Sequence, residues 1–235
     1  DSVPNSITAG LNFNVIGQVT DDDDANRVLI ESVKLKANWL NNANETLVES
    51  YLTTNNGSFN LTVPTDTSNN GTLRGSKTLV ISVVEGSSKF YLTSSVESAI
   101  FVFGVTQFDS MQPLNAIVVN RGDDVNMTSQ LVESSNLFQP LSGYDVTYQF
   151  RGSQIGTVQT DGRGFANITH NIPFSQPLGI TTVDVIFAGS TDLLSTSANC
   201  STINIRSLTF LIIDDIIDNP IAGDKFNISG RVTSD

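Results

Sequence analysis

Apolar and polar residues alternate with a period of two along most of the chain. SVKLKANW (32–39), TLVISVV (78–84), SGYDVTYQF (142–150) and TTVDVIF (181–187) each put every second side chain on an apolar face. They are also rich in β-branched and aromatic residues, the pattern of a half-buried strand. Apolar residues spaced i, i+3, i+4, i+7 never persist for two turns, so no helix is expected. Gly, Asn, Asp and Pro interrupt the runs about every 8–12 residues, which predicts an all-β chain of antiparallel sandwiches.

The pattern also recurs on a longer scale. AGLNFNVIGQVTD (9–21), RGDDVNMTSQLVE (121–133) and AGDKFNISGRVTSD (222–235) share a glycine (Gly10, Gly122, Gly223). Four residues on, they share an asparagine (Asn14, Asn126, Asn227). The unit is therefore about a hundred residues, the size of one domain. TTNNGSFNLTVP (53–64) matches QTDGRGFANITHNIP (159–173) as a hairpin. In it Phe59 or Phe165 opens the returning strand facing inward, and Pro64 or Pro173 ends it. VISVVEGSSKFYLTSSVESAIFVF (80–103) matches VDVIFAGSTDLLSTSANCSTINIR (183–206): a strand to Gly86 or Gly189, a leucine (Leu92, Leu194), a Ser/Thr pair, then a last strand. The expected domains are 1–104, with its first strand short or missing, 105–207, and 208–235 as the leading strands of a third unit. The first strands of units two and three are expected around 104–113 and 208–217.

These motifs carry a resemblance. GxxxNxSGxV (223–232), PLSGYDVTYQF (140–150), TDGRGF (160–165) and VIFAGSTDLLSTS (185–197) resemble the bacterial and archaeal Ig-like tandem repeats of surface-layer and adhesin-type cell-surface proteins. Unit one fits less well, with DDDDANRVLIESVKL (21–35) where unit two has its PLxG step. The resemblance implies tandem immunoglobulin-like antiparallel β-sandwiches on surface layers, adhesins or stalks. It implies no chemistry, because sandwich folds host many functions.

Charge narrows the partners. The net charge is −12, from 24 acidic and 12 basic residues, and no lysine occurs between 90 and 224. Nucleic acid is excluded as a partner, since phosphate binding needs clustered Lys and Arg. The longest apolar run, LTFLII (208–213), is strand-sized, so no membrane span is expected in this segment. DSVPNSITAG has neither a basic start nor an apolar middle and reads as following a processing boundary. Cys200 is the single cysteine, so no intrachain disulfide forms, and it reads as a small apolar residue on a late strand.

Candidate chemistry is sparse, and no enzyme activity is expected. His170 is the only histidine, no GxSxG, HExxH, CxxC or Walker pattern accompanies it, and it reads as a solvent-facing strand residue. An internal Lys–Asn isopeptide needs a lysine, which unit two lacks, and Lys34 or Lys36 is its candidate in unit one. Asn-x-Ser/Thr occurs at Asn44, Asn56, Asn60, Asn70, Asn126, Asn167, Asn199 and Asn227, the candidate glycosylation sites. Asn56 and Asn70 lie near turns, while Asn126, Asn167 and Asn227 fall opposite in phase to apolar residues and face out. Asp21, Asp22, Asp23 and Asp24, with Asp214, Asp215 and Asp218, are the candidate ligands for Ca2+ at loops and junctions, although no EF-hand spacing is present. Trp39, Phe90, Tyr91, Phe101 and Phe103 could form a sugar-binding face, but Trp39 ends the run Val33, Leu35, Ala37, Trp39 and so reads as core.

The expected function is structural and extracellular: a rod-like or lattice-forming module of an archaeal-type surface layer or surface filament. The alternatives are a surface adhesin or glycan-binding module, or an accessory domain of a secreted enzyme. The expected partners are copies of itself or adjacent repeats. Residues 208–235 would bury nothing as a lone hairpin, so either the array continues or these strands add to a neighbouring molecule.

Overall fold

A computed structural model describes residues 2–20, 29–30, 32–41, 44–64, 74–84, 94–217 and 227–234. In chain order the strands are β1 (Ser6–Thr8), β2 (Phe13–Gln18), β3 (Lys34–Leu40), β4 (Thr46–Thr53), β5 (Ser58–Val63), β6 (Gly75–Val83) and β7 (Ser95–Phe103). Then come β8 (Thr106–Gln112), β9 (Ile117–Asn120), β10 (Asp124–Glu133), β11 (Gln139–Pro140), β12 (Asp145–Phe150) and β13 (Ser153–Gln159). β14 (Phe165–Asn171), β15 (Gly179–Phe187), β16 (Thr196–Arg206), β17 (Thr209–Ile217) and β18 (Asn227–Ser234) complete the set. Two compact units result. One holds 1–107, 132–139 and 188–196; the other holds 108–131, 140–187 and 197–235.

The same plan is built twice. One sheet runs β1-β7-β6-β3-β4 and faces the pair β2-β5; the other five-stranded sheet runs β13-β12-β15-β16-β9 and accompanies β11-β10-β14, with β8 on β10. Pairs such as β3 with β6 and β12 with β15 are antiparallel. β1 on β7 and β9 on β16 are parallel. The chain is thus all-β, a tandem of Ig-like sandwiches. The first strand of the second repeat is divided: β8 pairs with β10, and after Gln112 the chain crosses to pair β9 with β16. In the first repeat the second half is β1, and the first half is the single bridge Ser2–Ile16.

The core follows from the alternation. In the first unit Trp39 is 1% exposed and its ring centroid lies 5.3 Å from that of Phe13 on the facing sheet. In the second, Val146, Tyr148 and Phe150 of β12 are buried with Val183 and Val185 of β15. The Tyr148 hydroxyl crosses to the facing sheet, donating to the Ala166 carbonyl at 2.7 Å and pairing with Ser129 Oγ at 2.8 Å. Burial, opposed by the Ser129 hydrogen bond, pushes its phenol up to about 12. A buried phenol needs such partners, because an unpaired one costs about 1–3 kcal/mol.

A shared corner shows why the repeats fold alike. Val19 and Leu131 donate their N–H to the carbonyls of Gly57 and Gly164, both at 2.8 Å. Ile30 and Leu141 donate to the carbonyls of Val19 and Leu131 at 2.9 and 3.0 Å. Val33 and Tyr144 donate to the hydroxyl oxygens of the buried Thr54 and Thr160, each at 3.0 Å. The N–H groups of Thr54 and Thr160 return to the carbonyls of Val33 and Tyr144, each at 2.9 Å. Unit one lacks the PLxG residues, as its sequence shows, but it builds the same step. Ile30 takes the place of Leu141, and Ser32, at φ 57°, takes the place of Gly143 at φ 79°. A non-glycine residue tolerates that conformation at about 1–2 kcal/mol, so the motif is absent while the geometry is kept.

Two orientations differ from expectation for one reason. Register pairs Asn14 with Thr62 and Asn126 with Thr169. Counting back along each strand, Phe59 is equivalent to Ala166 and Ser58 to Phe165. The loop after Thr160 is one residue longer than the loop after Thr54, and a shift of one residue exchanges the faces of a strand. Phe165 accordingly lies out of phase with buried Ala166 and Ile172. His170 lies in phase with them, facing the core, with its ring 5.3 Å from Phe150. Burial lowers its pKa. In the VIFAGSTDLLSTS motif the leucine that sinks is Leu193, 2% exposed, while Leu194 is 37% exposed.

Candidate functional site

The sequence-derived candidates fall in separate places. Asp21, Asp22, Asp23, Asp24 and Asp218 lie outside the described residues. Asp214 faces Arg231 across the β17–β18 hairpin, Oδ1 to Nε 3.6 Å, and the backbone of Asp215 pairs with Ser229. Among the described residues, no group of three or more His, Cys, Asp or Glu side chains is placed to share a metal ion.

Lys34 and Lys36 alternate with buried Leu35 and Ala37 and project from the sheet's outer face. Lys36 pairs with Glu49, and the Lys34 amine stands 4.8 Å from the centre of the Tyr51 ring. Among the aromatics, Trp39 is core, and Phe90 and Tyr91 lie outside the described residues. Phe101 and Phe103 meet edge to face at 5.0 Å, half-buried. The Cys200 thiol is half-buried, and burial, with a further push from Asp184, raises its pKa to about 11.

The sequons divide by local structure. Asn44 and Asn56 are exposed in turns, at φ 59° and 50°. Asn60, Asn126, Asn167 and Asn199 are exposed within β5, β10, β14 and β16, Asn227 opens β18, and Asn70 lies outside the described residues. The outer face of β10–β14 is a polar ladder: Asn171 Nδ2 donates to Asp124 Oδ1 at 2.8 Å, Thr169 to Asn126 Oδ1 at 2.7 Å and Thr128 to Asn167 Oδ1 at 2.6 Å. The first repeat has one such rung, Thr62 to Asn14 at 2.8 Å. The asparagine that marks each repeat in sequence thus makes the same cross-strand bond in both.

One polar cluster escaped sequence reasoning. Within the first unit, Arg74 Nε lies 3.6 Å from Glu133 Oε2 and 3.4 Å from Asp192 Oδ2. Ser135 Oγ donates to Glu133 Oε1 at 3.4 Å. Backbone bonds hold the segments in place: Gly104 N to Asp192 O and Leu194 N to Gly104 O, both 2.9 Å, and Ser134 N to Val105 O at 2.8 Å. A side chain at Gly104 would put its Cβ 2.5 Å from Glu133 Oε1 and 2.8 Å from Leu193 Cδ2. The available signal was one of phase. Glu133 continues the buried series Val125, Met127, Ser129, Leu131, and Lys77 the buried series with Leu79 and Ile81. Lys77 Nζ donates to the Arg74 carbonyl at 3.3 Å, and burial lowers its pKa.

Glu133 carries a pH prediction. Burial raises its pKa above the ordinary 4.5, and the Arg74 charge opposes this only in part. A carboxyl whose folded pKa is raised adds stability that is full below the unfolded pKa and is lost as pH rises through the folded one. Stability should therefore fall over the interval just above pH 4.5. Glu133→Gln should flatten that interval in urea midpoints taken at successive pH values. An unaltered profile would show that another group carries the dependence.

The hairpin β17–β18 is the remaining feature. Leu211, Ile213, Ile228 and Val232 share one face and are 75%, 58%, 57% and 72% exposed. Aligned on the repeat asparagine, Ile228 and Val232 match Met127 and Leu131, which are 1% and 0% exposed.

No protein-family model matches the chain, and no curated protein matches it. Solved structures do. A three-Ig segment of titin has a TM-score of 0.47 at 11% identity, over 86% of this chain and 62% of that one. Sidekick-1 immunoglobulin domains 1–5 give 0.40 at 11%, over 98% and 43%. A tetra-tandem repeat in the extending region of a large adhesion protein gives 0.36 at 12%, over 96% and 63%. No helix among the described residues is long and apolar enough to cross a membrane.

Proposed function

We propose that the chain is a structural module of an extracellular surface protein, built to repeat as a rod, lattice or filament of the surface-layer type. The observation that supports this reading best is the duplicated corner and sheet plan, with β17–β18 repeating the opening pair of a sandwich. The role is mechanical and involves no reaction. Its partners are copies of itself or adjacent repeats, which engage β17–β18 by supplying strands to its open edges and cover to its bare face. Each large apolar side chain covered there contributes about 1.5–3 kcal/mol, so covering this face would drive association.

The test is sedimentation and light scattering of the chain across a wide concentration range, beside an Ile228→Asp, Val232→Asp variant. The chain should associate, and the variant should do so at least about tenfold more weakly. A wild-type chain that stays monomeric at high concentration would remove the self-association. Immuno-electron microscopy of native cells that found the protein away from the surface would remove the surface role.

A further inference from the structure

We propose that Asn44 and Asn56 are the acceptors of N-linked sugar on the folded chain, and that the sequons at Asn126 and Asn167 are closed by each other's hydroxyls.

The transfer has a simple balance. Asparagine Nδ2 attacks C1 of a sugar carried on a lipid-linked phosphate donor. The C1–N bond forms, the C1–O bond to phosphate breaks with its electron pair leaving on the lipid phosphate, and one amide proton passes to a base. The transferring enzyme reads the hydroxyl two residues after the asparagine as part of its acceptor, so that hydroxyl and the amide must both be free to enter it.

In β10 and β14 they are not. Antiparallel register puts Asn126 opposite Thr169 and Asn167 opposite Thr128. Thr128 is the sequon hydroxyl of Asn126, and Thr169 that of Asn167. Each sequon therefore donates its own hydroxyl to the other's amide oxygen, at 2.6 and 2.7 Å. A turn of the side chain frees either hydroxyl, but the backbone that carries both sequons stays paired across β10 and β14, and Met127, between Asn126 and Thr128, is 1% exposed. Asn60 is held in the same manner, since its Thr62 hydroxyl goes to Asn14. Asn199 lies within β16, before the Ile203–Arg206 stretch that pairs with β9.

At the turn sites the asparagine and hydroxyl side chains of both sequons are exposed, although the backbones of Glu45 and Gly57 between them are hydrogen-bonded to Asn41 and Val19. Among the described residues no side-chain hydrogen bond engages the hydroxyl of Thr46, which serves Asn44, or of Ser58, which serves Asn56. Asn56 and Gly57 form the two-residue tip between β4 and β5, closed by Asn55 N to Ser58 O and Ser58 N to Asn55 O, both 3.0 Å. Asparagine is among the few residues that adopt the positive φ found at both sites. The composition of the ladder also accounts for the strand sequons without any sugar: Asn and Thr face each other across a sheet because they bond there.

The test is to incubate the folded chain with membranes holding an oligosaccharyltransferase and its lipid-linked donor, then map sugar by peptide mass. Synthetic peptides of residues 122–132 and 163–173 serve as unstructured acceptors. Occupancy at Asn44 and Asn56 should exceed that at Asn126 and Asn167 by more than about tenfold in the folded chain, because the strand sites react only through local opening. Both peptides should accept sugar. Equal occupancy at the strand sites would overturn the proposal, as would a folded chain bare at Asn44 and Asn56. Peptides that stay unmodified would also overturn it, by showing that the fold is not what closes those sites.

Discussion

Trp39→Ala is expected to destabilise the first unit by about 3–5 kcal/mol, the usual loss when a buried aromatic side chain is removed and its cavity cannot collapse. Collapse is hindered here. Trp39 is 1% exposed and tilts against Phe13 of the facing sheet at 5.3 Å, while Leu79, its β6 partner, is likewise 1% exposed. The ring thus spans the space between sheets that backbone hydrogen bonds hold in register. Trp39→Phe keeps most of the packing and should lose only about 1–2 kcal/mol. As this is the only tryptophan in the chain, its fluorescence reports on the first unit alone. Urea unfolding of both variants is best followed by far-ultraviolet circular dichroism. A Trp39→Ala midpoint equal to that of wild type would show that the ring does not fill the core.

Much of this arrangement was legible because a strand writes its two faces into alternate residues. Trp39 read as core from Val33, Leu35 and Ala37 alone, and Asn126 and Asn167 read as outward from their apolar neighbours. The repeat glycines Gly10 and Gly122 also share a conformation, positive φ at 81° and 86°. What failed was matching by identity where geometry is conserved by different residues. Phe59 and Phe165 look equivalent, yet one extra loop residue puts Ala166 inside and turns His170 toward Phe150. Ile30 and Ser32 do not look like PLxG, yet Ile30 makes the hydrogen bond of Leu141 and Ser32 takes the positive φ of Gly143. Thr54 and Thr160 were passed over because a polar residue beside a turn reads as solvent-exposed, whereas their hydroxyls accept buried backbone N–H groups. The Glu133 cluster joins residues remote in sequence, and no local pattern announces such a meeting.

Gly164→Ala should cost roughly 2–5 kcal/mol, and the reason separates two effects that usually arrive together. Gly164 has φ 79°, where an L side chain is disfavoured by about 1–2 kcal/mol. Its Cβ would also lie 2.6 Å from the Leu131 carbonyl oxygen, 3.2 Å from Leu141 N and 3.3 Å from Pro140 Cβ. Two of these are backbone atoms of the shared corner, so relief requires moving β10 itself, and overpacking of that kind costs about 1–3 kcal/mol more. Gly143 and Gly152 have the same conformation, φ 79° and 75°, with nothing within 4 Å of an added Cβ. Gly143→Ala and Gly152→Ala should therefore show the conformational part alone, about 1–2 kcal/mol each. Gly57 is the first-repeat counterpart, φ 71° with a Cβ position 2.5 Å from Leu29 Cβ, and Gly57→Ala should resemble Gly164→Ala. Thermal or urea unfolding of the four variants decides the matter. If Gly164→Ala proves as mild as Gly143→Ala, the close approach at the corner does not limit stability, and the corner loses its place as the feature both repeats must build.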